Sequence, residues 1–188
     1  CENRQTLCSS VFTMESTSDN SKADTLNDIG VLKRREIEAR IVAPLIERFA
    51  EEFGEDRVVE LARETVVDVA RGQGAALADA MGGNDLEKFA ASMENWTKGG
   101  ALEIEVREQS ETTFAFDVVR CQYAEMYRGL DIPELGALLS CNRDGTMVEG
   151  FNSDITFERN QTIMGGATHC DFRYSLESTE VAVKIEDQ

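Results

Sequence analysis

Histidine is nearly missing from this chain, with one in 188 residues. A catalytic zinc site built on several imidazoles is therefore excluded. Proline occurs twice and tryptophan once. No Cys-x-x-Cys pair, glycine-rich phosphate loop, dinucleotide fingerprint or Gly-x-Ser-x-Gly elbow is present. No apolar run approaches the ~18 residues that a membrane-spanning helix needs. Positive charge is scarce too: 19 Lys and Arg face 36 Asp and Glu, for a net charge of −17. Phosphate backbones and anionic bilayers repel such a chain, so neither nucleic acid nor membrane is an expected partner.

What remains describes a globular protein. Apolar residues make up 41% and charged residues 29%, and the length suits one domain with tails. Residues 1–27 are rich in Ser, Thr, Asn and Asp, show no apolar period and read as a disordered polar arm. Residues 28–175 read as a single domain, and 176–188 as an edge strand or acidic tail. The five cysteines are Cys1, Cys8, Cys121, Cys141 and Cys170. An odd count in a chain of this length is no disulfide framework, so reduced thiols and a cytoplasmic location are expected. A start at Cys1 fits a fragment, added residues before Met14, or an acylated mature lipoprotein.

Helices come first. Ile37, Ile41, Leu45 and Phe49 recur every fourth residue and predict one buried stripe on a helix over 31–53. Pro44 predicts a kink or break in it. A second helix is expected from Asp56 to Met81, burying Val58, Ala62, Val66, Val69 and Leu77, with Gly72 and Gly74 marking close packing or a bend. Asn84 and Glu87 suggest a capping box for a third helix that buries Leu86, Phe89, Met93 and Trp96. Alternation then takes over. Leu102, Ile104 and Val106, then Phe114, Phe116 and Val118, predict a hairpin. Short helices over 121–130 and from Pro133 to near Cys141 follow, then strands at 146–151, 155–159 and 169–174. Helices before antiparallel strands mean an α+β fold, with N-terminal helices packed on a C-terminal sheet.

The residues able to carry chemistry fall between Arg120 and Tyr174. Cys121 and Glu125 lie four apart on the expected helix and so share a face. A thiol and a carboxylate so placed can ligate a metal, or act as nucleophile and proton carrier. On a strand, His169 and Asp171 face one way and Cys170 the other. Cys170 could then join Cys121 and Cys141. Packing as small core hydrophobes is the plain alternative for all three thiols. Arg120, Arg143 and Arg173 are candidates for gripping a substrate carboxylate through two hydrogen bonds.

Several runs carry a resemblance: Arg120-Cys121-Gln122-Tyr123-Ala124-Glu125-Met126-Tyr127, Pro133-Glu134-Leu135-Gly136, and Leu138-Leu139-Ser140-Cys141-Asn142-Arg143-Asp144. Gly150-Phe151-Asn152, Arg159-Asn160-Gln161-Thr162-Ile163-Met164 and His169-Cys170-Asp171-Phe172-Arg173-Tyr174 extend it. Together they resemble the L-2-amino-thiazoline-4-carboxylic acid hydrolase family over roughly residues 30–175. Asn160 departs from the Thr expected there. The resemblance implies a hydrolase that opens a cyclic amidine ring. Water adds to the carbon between N and S, and N-carbamoyl-L-cysteine forms, a step in cysteine biosynthesis.

Two mechanisms follow. In one, Cys170 or Cys121 attacks, activated by His169, with Asp171 or Glu125 carrying the proton. In the other, Cys121, Cys141 and Cys170 hold a divalent metal such as zinc, with Glu125 or His169 as fourth ligand, and the metal activates water. The rival function is a non-catalytic, sensor-like module that binds a small molecule, with a structural Cys–metal site. Either way the partner is a small molecule, with room for a homo-oligomer.

Overall fold

A computed structural model describes residues 29–177 of the chain. The expected arm over 1–27 and most of the expected tail over 176–188 lie outside the described residues. Helix α1 (Val31–Phe53) passes straight through Pro44. Pro44 is exposed, so water can reach the carbonyl that its missing N–H leaves free, and no break results. Gly54, with φ of 90°, turns the chain into α2 (Glu55–Met81). The acidic Glu55 and Asp56 in the first turn of α2 suit the positive end of its dipole.

The fourfold stripe on α1 is real but faces outward. Ile37, Ile41, Leu45 and Phe49 are exposed, and α1 instead buries Val31, Arg35, Ala39, Ala43 and Ile46. The small alanines explain the choice. Ala39 and Ala124, both fully buried, share a cluster with Tyr127, Leu138 and Leu139. An alanine face lets the backbone lie close, which bulkier side chains would prevent.

Helix α2 is continuous across Gly72 and Gly74. Only Gly74 marks a close approach: a Cβ there would lie 1.9 Å from the Met147 carbonyl oxygen. Gly150, on the opposing helix α7 (Asp144–Phe151), is its counterpart, since its Cβ would lie 2.0 Å from the Arg71 carbonyl oxygen. Val69 on α2 is exposed rather than buried. The third helix is split into α3 (Leu86–Ser92) and α4 (Glu94–Thr97). Its N-cap is Asp85 rather than Asn84, and Asp85 accepts the Lys88 N–H at 2.8 Å. Leu86 and Phe89 are buried, whereas Trp96 is only half-buried.

Strands β1 (Leu102–Gln109) and β2 (Thr113–Cys121) form the expected hairpin. Val106, placed on its buried face by the sequence pattern, is exposed. Helices α5 (Gln122–Gly129) and α6 (Pro133–Leu139), a 3-10 turn (Cys141–Arg143) and α7 come next. Then follow β3 (Ile155–Glu158) and β4 (Cys170–Leu176). The strand expected over 146–151 is therefore the body of α7. Val148 and Phe151, three residues apart, are its buried pair, and that is helical spacing.

The antiparallel sheet has the order β1-β2-β4-β3. Phe116 and Phe172 are register partners, and their rings stack at 4.9 Å. Phe89 of α3 meets the edge of Tyr174 at 4.9 Å and of Phe151 at 5.3 Å. That aromatic core fastens the helices to one sheet face. The opposite face is polar: Asp117 takes Arg173 and Arg107, each at 2.7 Å. The fold is α+β, with helices gathered on a C-terminal antiparallel sheet. Among the described residues, no helix is long and apolar enough to cross a membrane.

Candidate functional site

Cys121 closes β2 and caps α5, and it packs against all three hydrophobic clusters of the molecule. A cavity of about 80 Å³ opens where those clusters meet. It has room for several water-sized groups. Cys121, Cys141 and Cys170 all line it. Each arrives by a different route: the end of β2, the 3-10 turn after α6, and the start of β4. Val31, Trp96, Leu102, Met147 and Met164 supply apolar wall.

The polar wall is where sequence and structure part. Asp144, the first residue of α7, pairs with Arg159 from the end of β3, and both line the cavity. Arg159 also donates to the Cys141 carbonyl at 3.0 Å, and its guanidinium lies 5.2 Å from the centre of the Phe172 ring. Burial raises the Asp144 carboxyl above its ordinary value, against the opposing pull of Arg159. Arg143 is only 9% exposed. It donates to a neutral group, the Gln73 side-chain oxygen at 2.6 Å, and among the described residues no carboxylate forms an ion pair with it. Burial, and then the nearby charge of Arg35, push the Arg143 guanidinium down to about 10. It therefore stays a cation at neutral pH, with the Glu38 carboxylate, paired to Arg35, near enough to act on its charge but not in ion-pair contact with it. Arg35, itself 7% exposed, completes this side.

The other expected residues lie elsewhere. Cys121 and Glu125 do not share a helix face, because Cys121 belongs to the strand and α5 starts one residue later. Glu125 is exposed and takes Arg120 at 2.8 Å, while Arg120 also reaches Glu103 at 3.1 Å. Both are committed to a surface network outside the cavity. Arg173 lies on the outer sheet face with Asp117. His169 and Asp171 do not pair. The His169 Nε2 accepts the Gln161 side-chain N–H at 2.7 Å, and Asp171 accepts the backbone N–H groups of Asn160 and Gln161 at 3.0 and 2.9 Å. Asp171 thus fastens the loop before β4, and neither residue lines the cavity.

Cys170 is buried, Cys121 and Cys141 are half-buried, and all three are protonated at neutral pH. Burial pushes Cys121 up to about 11 and Cys141 up to about 12, and raises Cys170 as well. The Cys121 sulfur accepts the Ala124 N–H at 3.4 Å, and the Cys170 sulfur accepts the Ile163 N–H at 3.1 Å. Among the described residues, no three His, Cys, Asp or Glu side chains form a group that could hold a metal ion. A zinc–thiolate centre needs sulfurs that converge about 2.3 Å from one point. The residues present do not fit that group.

Asp144 and Arg159 escaped the sequence reading, although each sits at an end of a run that carried the resemblance. Asp144 directly follows Arg143, and Arg159 opens the run that reaches Met164. The usable signal was a charge at the border of an apolar element: Asp144 starts a helix whose buried residues are Val148 and Phe151.

Fold and cavity together define an α+β protein with a small, largely apolar chamber, bordered by one half-buried ion pair and one buried cation. The model of the family described as L-2-amino-thiazoline-4-carboxylic acid hydrolase matches residues 34–174, and the chain belongs to that family. No curated protein matches the chain. Among solved structures, the phenol-responsive sensory domain of the transcription activator PoxR with phenol is similar at 10% identity. That match covers 72% of each chain with a TM-score of 0.47. A trafficking protein particle complex subunit 3 from Naegleria fowleri, covalently bound to palmitic acid, is similar at 10% identity and a TM-score of 0.47. It covers 77% of this chain and 96% of that one.

Proposed function

We propose that the protein hydrolyses a small carboxylated cyclic amidine, with L-2-amino-thiazoline-4-carboxylate as the first substrate to try. The observation that carries this reading is Arg143, a buried cation without a carboxylate ion-pair partner, on the same cavity wall as the half-buried Asp144 carboxyl group. A substrate carboxylate supplies the missing anion through two parallel hydrogen bonds. The ring then lies in the apolar chamber, with its amidine carbon towards Asp144.

The chemistry needs two protons moved. Asp144 takes a proton from water as the oxygen bonds to the carbon between N and S, and passes it to the ring nitrogen as the C=N bond becomes single. The new hydroxyl then becomes a carbonyl as the carbon–sulfur bond breaks, and its proton passes through Asp144 to the departing sulfur. The product is an N-carbamoyl thiol, equal in composition to substrate plus one water. A carboxyl group whose affinity for protons is raised by burial suits this exchange near neutral pH. Arg159 orients Asp144 and prevents it from turning away. The thiols, held neutral, serve as dry wall rather than as resting nucleophiles.

Thiol release from the thiazoline, followed after denaturation with the protein's own cysteines subtracted, tests the proposal. Asp144→Asn is expected to lower turnover at least about a hundredfold, the usual weight of a general base. Arg143→Gln is expected to raise KM more than it lowers kcat. Full activity in Asp144→Asn, or a complete loss in Cys121→Ser or Cys170→Ser alone, overturns the assignment of the proton carrier. The apolar wall favours a second reading, a module that binds a small apolar molecule without turning it over. Saturable binding of the thiazoline with no thiol released selects that reading.

A further inference from the structure

The stripe on α1 that the sequence pattern assigns to the core is left uncovered among the described residues. Ile37, Ile41, Leu45, Phe49 and Phe53 of α1, with Leu61 and Val69 of α2, are between 43% and 68% exposed. Beside them an open groove of about 540 Å³ runs between α1 and α2, walled by Val42, Ile46, Val58 and Val66. Scattered surface hydrophobes need no explanation, but a helical row every fourth residue along one helix marks an interaction surface.

The charges on α1 say what covers it. The chain as a whole carries −17, yet this helix is neutral and divided. From Val31 to Pro44 it has four basic and two acidic residues, and from Leu45 to Phe53 one basic and three acidic. A helix with a positive first half and a negative second half complements itself when two copies run antiparallel. Place a two-fold axis midway between Ile41 and Leu45. Ile41 then faces Leu45 of the other copy, and Ile37 faces Phe49. In the same register Glu38 lies opposite Arg48, and Arg34 opposite Glu52. One register thus matches both the apolar row and the charges, as an isologous interface requires. A foreign partner would meet the apolar row but has no reason to share this centre of symmetry.

We infer that the outward face of α1 is the interface of a homodimer, formed by antiparallel packing of α1 on its copy, with α2 flanking the contact. The row from Ile37 to Phe53 covers most of α1, a helix of 23 residues and about 34 Å at 1.5 Å per residue. That length gives two copies a continuous seam. The buried alanine face of α1 and the exposed face of large residues are then two interfaces of one helix, one within the chain and one between chains.

Sedimentation of the full chain tests the inference. The parent is expected at twice 20.9 kDa at micromolar concentration. Ile41→Glu and Leu45→Lys are each expected at the monomer mass with unchanged helical circular dichroism, since both positions are open to solvent within one chain. Arg48→Glu sets like charges opposite Glu38 and is expected to weaken the dimer about tenfold, more at low salt than at high. A parent that stays monomeric at about 100 μM overturns the inference. So does a dimer that survives both Ile41→Glu and Leu45→Lys, or an Arg48→Glu dimer as tight as the parent.

Discussion

Three thiols and one buried cation line this cavity, and their partial removal from water acts on them in ways a pH titration reads. A thiol whose proton is held more tightly in the folded chain than in the unfolded one favours folding while it stays protonated. That stabilisation is whole below the ordinary value of 9.0 and fades as pH rises towards about 11 for Cys121 and about 12 for Cys141. The melting temperature is therefore expected to fall as pH rises past 9, and to fall less steeply in Cys141→Ala. Thermal melts at pH 7, 9 and 10.5 check this. An unchanged slope in the variant shows that the Cys141 thiol is not held neutral by the fold. At this scale the sequence was partly legible. The three thiols do meet around one space, because each ends or begins an element that the hydrophobic pattern locates. The partners of His169, Asp171, Arg120 and Arg173 were not legible, since which face of a strand points inward depends on pairing register and on a helix layer arriving from elsewhere.

Among elements, the crossing of α2 and α7 shows how one atom decides packing. Gly74 and Gly150 bring the two backbones into contact, and a Cβ at either one meets a carbonyl oxygen of the other helix. Gly72, two residues from Gly74, has nothing within 4 Å of where its Cβ would be. Gly74→Ala is expected to destabilise by more than about 2 kcal/mol, the range of forced overpacking. Gly72→Ala is expected to stabilise by roughly 0.5–1 kcal/mol, the helix-propensity gain over glycine. Urea denaturation of the two variants separates these outcomes, and equal effects at both sites would show that the helices can slide apart. The sequence marked both glycines for close packing or a bend and could not say which one touched a neighbour. It also read 146–151 as a strand, because Met147, Val148 and Phe151 suit either period over so few residues. On α1 it found the correct period and the wrong side, since a pattern in one chain does not say whether its larger face meets its own core or another molecule.

At the scale of the molecule, the cavity belongs to no single element. Its walls come from α1, α4, β1, β2, α5, the turn before α7, α7 itself, the segment between β3 and β4, and β4. The unfolded chain therefore holds no part of it, and whatever enters the cavity binds the native state alone. Mass action then ties occupancy to folding: a ligand at a hundred times its dissociation constant adds about 2.7 kcal/mol to stability. For a chain of this size, that raises the melting point by roughly 5–10 °C. Heat thus becomes a way to survey substrates without knowing the reaction. Carboxylated cyclic amidines are expected to raise the melting point, their decarboxylated analogues to raise it far less, and Arg143→Gln to erase the difference between the two.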